Sequence, residues 1–135
     1  MSNFWMPGAV KKPLTRNYTN RERKVTNAVI LHVAVSESAS LHGWFNNPRA
    51  GASSHFYVRR DGTIEQYIPI NLISWAGVQS DQRAISVETQ GMGHGAWTAK
   101  QVQAMQQIIK FCQSTYPGVP TRVMRSSKTS ETGIG

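Results

Sequence analysis

Between residues 28 and 36 the chain reads AVILHVAVS, an apolar and small-residue run broken only by His32. So short a run, with several β-branched positions, predicts a buried strand over 28–35. The polar stretch that follows, SESASLHGWFNN at 36–47, opens on serines and spaces Leu41, Trp44 and Phe45 as a helix would. A short helix is expected there. In SHFYVRRDGTIEQYIP, 54–69, two strand-like runs flank Asp61-Gly62, a pair suited to the positive φ angles of a tight hairpin. AISVET at 84–89 predicts another strand, with Ile85, Val87 and Thr89 on one face and Ser86 and Glu88 on the other. The pattern then changes period. TAKQVQAMQQIIKFCQSTY, 98–116, reads as a helix opened by a Thr98/Gln101 capping box, with Val102, Met105, Ile109 and Cys112 as its apolar stripe. TRVM at 121–124 predicts one more short strand. The order of elements implies an α/β fold, a mixed β-sheet with flanking helices. Residues 1–27 read as an N-terminal basic arm packed on the domain formed by 28–135.

Composition narrows this picture. A chain of 135 residues with mean hydropathy −0.39 supports one soluble core. No apolar stretch is long enough to cross a bilayer, so no membrane insertion is expected. The opening MSNFWMPGAVKKPL lacks the pattern of a signal peptide, which predicts a cytoplasmic product. The single cysteine, Cys112, excludes an intrachain disulfide framework and reads as a small core residue. A formal charge of +8, concentrated in 11–24 and 121–128, predicts attraction to anionic polymers. Neither cluster carries a nucleic-acid-binding motif, so no nucleic acid partner is expected.

Chemistry is confined to few side chains. His32 and Glu88 both fall late in their strands, where ligands gather in open α/β-type sheets. An imidazole and a carboxylate converging there suit a metal site with a general base, or a buried hydrogen-bonded couple. His55 begins the hairpin. His42 and His94 read as surface residues, and no H-x-x-x-H spacing links any of the four histidines. Trp75 is either core or the wall of an aromatic groove. There is no G-x-S-x-G elbow, and GMGHG lacks the lysine and spacing of a phosphate loop.

In order, AVILHVAVS, SSHFYVRRDGTIEQYIP, SWAG, AISVETQG and WTAKQVQAMQQII resemble the zinc-dependent N-acetylmuramoyl-L-alanine amidases. That group includes the peptidoglycan recognition proteins and many bacteriophage endolysins, and FWMPGAVKKP looks like amidases of actinobacterial phages or their hosts. The resemblance implies a Zn²⁺ cofactor with His32 as metal ligand and Glu88 as the catalytic carboxylate acting on water. It makes His55 and Trp75 substrate-binding or supporting residues. The implied reaction cleaves the amide between N-acetylmuramic acid and the L-alanine of the stem peptide. The partners would be peptidoglycan and, through the basic surface, anionic wall polymers. An endolysin would stay in the host cytoplasm until lysis and then act on the wall.

Two departures stand out. Trp75 is followed directly by Ala76-Gly77, where several relatives place a histidine. The family's remaining zinc ligands follow the long helix, yet after Tyr116 this chain has no His, Cys or Asp. The expectation is therefore an amidase-like domain that is C-terminally incomplete, with a zinc site only partly encoded. The alternative is a non-catalytic peptidoglycan-binding module of the same fold.

Overall fold

A computed structural model describes residues 3–76 and 79–120. Seven strands, two α-helices and a 3₁₀ turn follow one another along the described chain. They are β1 (Val10–Lys11), β2 (Tyr18–Glu22), β3 (Ala28–Val33), α1 (His42–Phe45), β4 (Phe56–Val58), β5 (Ile64–Gln66), β6 (Leu72–Ser74), the 3₁₀ turn Gln79–Gln82, β7 (Ala84–Thr89) and α2 (Ala99–Thr115). Five strands form a mixed sheet in the order β1-β5-β4-β7-β3, and β2 pairs with β6 in a separate two-stranded sheet. The basic N-terminal segment thus supplies two strands. Gln66 secures it further, its side chain accepting from Met6 N and donating to Phe4 O.

Side-chain alternation gives the large sheet two unlike faces. One carries Phe56, Val58, Ile64, Ile85 and Val87, packed beneath Ala104, Met105, Ile108 and Cys112 of α2. The other carries Tyr57 and Tyr67, packed with Leu14, Leu41, Phe45 and Ile68, and it also holds the polar row described below.

The Thr98/Gln101 capping box is present, with Thr98 N donating to Gln101 Oε1 and Gln101 N to Thr98 Oγ1, each at 3.0 Å. The buried stripe of α2 is shifted from the expected one. Gln101, Ala104, Met105, Ile108 and Cys112 are buried, whereas Val102 is 38% exposed and Ile109 half-buried. A glutamine can lie inside because its side chain donates to Gln90 O at 2.9 Å and Val58 O at 3.4 Å. The Gln101 amide nitrogen is thus paired inside the fold, so the polar residue fits beneath the sheet.

Three further expectations are corrected. β3 lies at the edge of the sheet among the described residues, and only His32 in it is fully buried. It ends before Val35, a β-branched residue at φ 53°. The helix expected over 36–47 shrinks to four residues, with no side-chain cap. Its serines are engaged elsewhere: Ser36 exchanges backbone bonds with Gly91, and the Ser40 hydroxyl donates to Glu65. In the β4–β5 hairpin only Gly62 takes positive φ. Gly62 N donates to Arg59 O and Arg59 N to Thr63 O, both at 2.9 Å, a turn that places one left-handed residue before β5. The strand expected at 121–124 lies outside the described residues.

Gly62 combines φ +87° with crowding, since a Cβ there would lie 3.1 Å from both Cβ and O of Lys100. Gly62→Ala is expected to destabilise the chain by about 1–3 kcal/mol, as read by urea denaturation.

Candidate functional site

Strand register assembles the site. His32 on β3 pairs with Glu88 on β7, Glu88 with Tyr57 on β4, and Tyr57 with Glu65 on β5. Registered neighbours project to the same face, one strand spacing of about 4.8 Å apart. Four polar side chains therefore cross the sheet in a row: His32, Glu88, Tyr57, Glu65. The structure brings together the two residues that sequence reasoning singled out, and adds two that it did not.

The two carboxylates of this row occupy opposite environments. Glu65 is fully buried and saturated. Its Oε1 accepts from Ser40 Oγ and Tyr67 Oη, each at 2.6 Å, and its Oε2 from Arg59 Nη2 at 2.6 Å and Lys12 Nζ at 2.9 Å. Burial alone would raise its pKa, but these four hydrogen bonds outweigh burial and hold it at about 2. Glu88 stands in contrast. Its Oε2 is buried without a hydrogen-bond partner among the described residues, and burial pushes its pKa up to about 7. A carboxylate poised near neutrality and lacking a cation is suited to general acid–base work. Tyr57, between the two, donates to Ser38 O at 2.6 Å, and its own pKa is raised, by burial first, to about 12.

Glu88 opens into a cleft of about 350 Å³, whose walls come from the segment after β3, including Ala34, Val35, Ser38, Leu41 and Trp44. Trp44, 52% exposed, is among the residues that line this cleft. His32 is 6% exposed and does not line the cleft.

His55 is placed inside the sheet rather than on the cleft. Its Nε2–H donates to Leu72 O at 2.7 Å while Nδ1 accepts from Ser86 N at 3.1 Å, which fixes the tautomer. Burial, reinforced by the Arg23 charge, lowers its pKa to about 3, so the ring is neutral at pH 7. Arg23 itself donates to Leu72 O and Ile70 O, tying the same backbone. Trp75, 39% exposed, is not a core residue; its Nε1 donates to Thr19 Oγ1 at 2.9 Å, and it does not line the Glu88 cleft. His42 is half-buried with Nε2 donating to Pro13 O at 3.0 Å, and His94 is exposed.

As a metal centre the arrangement is partial. His32 and Glu88 offer two donors, a catalytic zinc site needs three from protein, and no group of three suitable side chains occurs among the described residues. The described residues do not complete a zinc site.

Residues 21–131 match a protein family described as N-acetylmuramoyl-L-alanine amidase. Over 110 residues the chain is 29% identical to N-acetylmuramoyl-L-alanine amidase A of Achromobacter lyticus, covering 79% of this chain and 59% of that protein. Over 75 residues it is 32% identical to the 1,6-anhydro-N-acetylmuramyl-L-alanine amidase AmpD of Salmonella typhimurium, covering 50% of this chain and 40% of that protein. The chain thus spans less than two thirds of the length of these curated relatives. Among solved structures, PlyL superposes with a TM-score of 0.70 at 20% identity, covering 93% of this chain and 83% of PlyL. An endolysin amidase, LysCS of Clostridium intestinale, gives a TM-score of 0.66 at 19% identity, covering 84% and 78%. At those identities the likeness is one of fold.

Proposed function

Because the chain belongs to the N-acetylmuramoyl-L-alanine amidase family, we propose that it is a peptidoglycan hydrolase of the endolysin type. It would cleave the amide that joins the lactyl group of N-acetylmuramic acid to the L-alanine of the stem peptide. The observation that carries this reading is the register pairing of His32 with Glu88, which sets beside an imidazole, at a cleft, a carboxylate whose Oε2 has no hydrogen-bond partner among the described residues.

Glu88 is the catalytic residue in this reading. Its carboxylate takes a proton from the attacking water as the water oxygen bonds to the amide carbon. The same carboxyl then returns that proton to the alanine nitrogen as the carbon–nitrogen bond breaks, leaving a carboxylate and a free amine. Trp44 supplies an apolar wall against which substrate can lie. His32 is proposed as one ligand of a Zn²⁺ cofactor, and the residues after Tyr116 offer no His, Cys or Asp to join it. His55 supports the site from within, locking β4, β6 and β7 together, and Trp75 adds an exposed aromatic surface beside β6. Anionic wall polymers are proposed as a second partner of the +8 chain. The setting proposed is that of a phage lysis protein, held in the host cytoplasm and released to the wall. Among the described residues no helix is long and apolar enough to cross a membrane. The relatives named above are called amidases, which gives no support to a non-catalytic binding module.

The test is digestion of purified peptidoglycan with zinc supplied and then chelated. Mass spectrometry is expected to show stem peptides with a free L-alanine amine and glycan strands left intact. Cleavage within the glycan or the cross-bridge, or adsorption without turnover, would refute the proposal.

A further inference from the structure

The wall of the Glu88 cleft is built from a segment with little means of holding itself in place. Residues 34–41 form no regular element, and α1 is a single uncapped turn, too short to be stable alone. Its position must be set from outside, and at its Ser40–Leu41 end the fixing point is Glu65. The carboxylate accepts directly from Ser40 Oγ at 2.6 Å. It also accepts from Tyr67 Oη at 2.6 Å, and that oxygen in turn accepts from Leu41 N at 3.1 Å. Ser40 Oγ accepts from His42 N at 3.2 Å, so the start of α1 hangs on the same carboxylate. Lys12, from the N-terminal segment, and Arg59, from the end of β4, fix it from the other side.

We propose that Glu65 is a positioning residue for the amidase site: its buried carboxylate, held by Lys12 and Arg59, fixes Ser40 and Leu41 and thereby sets how the cleft wall stands over Glu88. This rests on reading the Glu88 cleft as the amidase site. Glu65 does not line the cleft, so it acts only through the wall. A fully buried anion is costly unless completely bonded, and here one of its four bonds runs to that segment directly and a second reaches it through Tyr67. The anion therefore links the sheet to the one part of the cleft that lacks regular structure.

Ser40→Ala removes the direct link to the wall while leaving the carboxylate, Tyr67 and both cations in place. It is expected to raise KM for a soluble muropeptide by about tenfold with kcat within about twofold, since the base is untouched. Amide hydrogen exchange at Leu41 and His42 should accelerate, with α2 unchanged. Ser40→Thr, which keeps the hydroxyl, should restore both. Glu65→Gln should reproduce the KM effect, while Gly62→Ala, outside the anchor, should lower stability without it. A Ser40→Ala chain with wild-type KM overturns the proposal, whether or not its exchange has changed. A wild-type chain without turnover would instead sink the amidase reading. Muropeptide affinity would then replace KM in the same comparison, and unchanged affinity in Ser40→Ala would overturn the anchor.

Discussion

Glu88→Gln is expected to lower muropeptide turnover by roughly 10²–10⁴-fold and, at the same time, to stabilise the metal-free chain at neutral and alkaline pH. The first effect, on the proposed amidase reading, is the loss of a general base. The second follows from linkage. Burial raises the Glu88 pKa from its ordinary 4.5 to about 7, so the folded chain holds a proton that the unfolded chain has released. Stability is therefore lost as pH rises from 4.5 to about 7, by about 3 kcal/mol in all. Glutamine keeps the shape and carries no charge to desolvate. Urea denaturation of chelator-treated protein at pH 8 should show the variant more stable than wild type, and equal stability would contradict this account of the site.

The second large effect comes from His55 and has the opposite sign. Its folded pKa, about 3, lies below its ordinary value of 6.5 because the ring is buried neutral. As pH falls below 6.5 the unfolded chain gains a proton that the folded chain refuses, which costs about 3 kcal/mol by pH 4. Between pH 4.5 and 6.5 the two groups oppose each other, and wild-type stability should be nearly flat with respect to them. Glu88→Gln removes one side of that balance. Its stability should fall by about 1.4 kcal/mol for each pH unit below 6.5. His55→Gln removes the other side, and at pH 7 it should cost about 2–4 kcal/mol, because Leu72 O and Ser86 N lose their buried partner. A Glu88→Gln chain whose stability does not change between pH 6.5 and 4.5 would show that His55 is not buried as a neutral ring.

Much of this could be read from the residues before any coordinates. Alternation in AISVET put Glu88 on the face opposite Ile85 and Val87, and the core under α2 confirms that division. The capping box at Thr98 needed only local spacing. What local pattern could not supply was partnership at a distance. Val102 was expected inside, but Gln101 takes that place because Gln90 O and Val58 O, from distant strands, satisfy its amide. The serines of 36–40 looked like helix caps and instead serve the sheet. Tyr57 and Glu65 were overlooked although they carry the same signal as His32, a polar side chain inside a strand-like run. Their alternation in FYV and IEQY places them in one row with Glu88, and register turns that row into a site.

The two faces of the sheet carry separate duties. Beneath α2 the contacts are apolar and dense, and they secure the fold without reaching the cleft. Above, the wall is an irregular strip moored at a few polar points. Substitutions at the exposed positions from Ala34 to Trp44, sparing the buried Leu41, can therefore reshape what the cleft admits while the hidden layer keeps the domain intact. Libraries that aim to change what the cleft admits should diversify that strip and leave Ser40, Leu41, Phe45, Tyr67 and Glu65 alone.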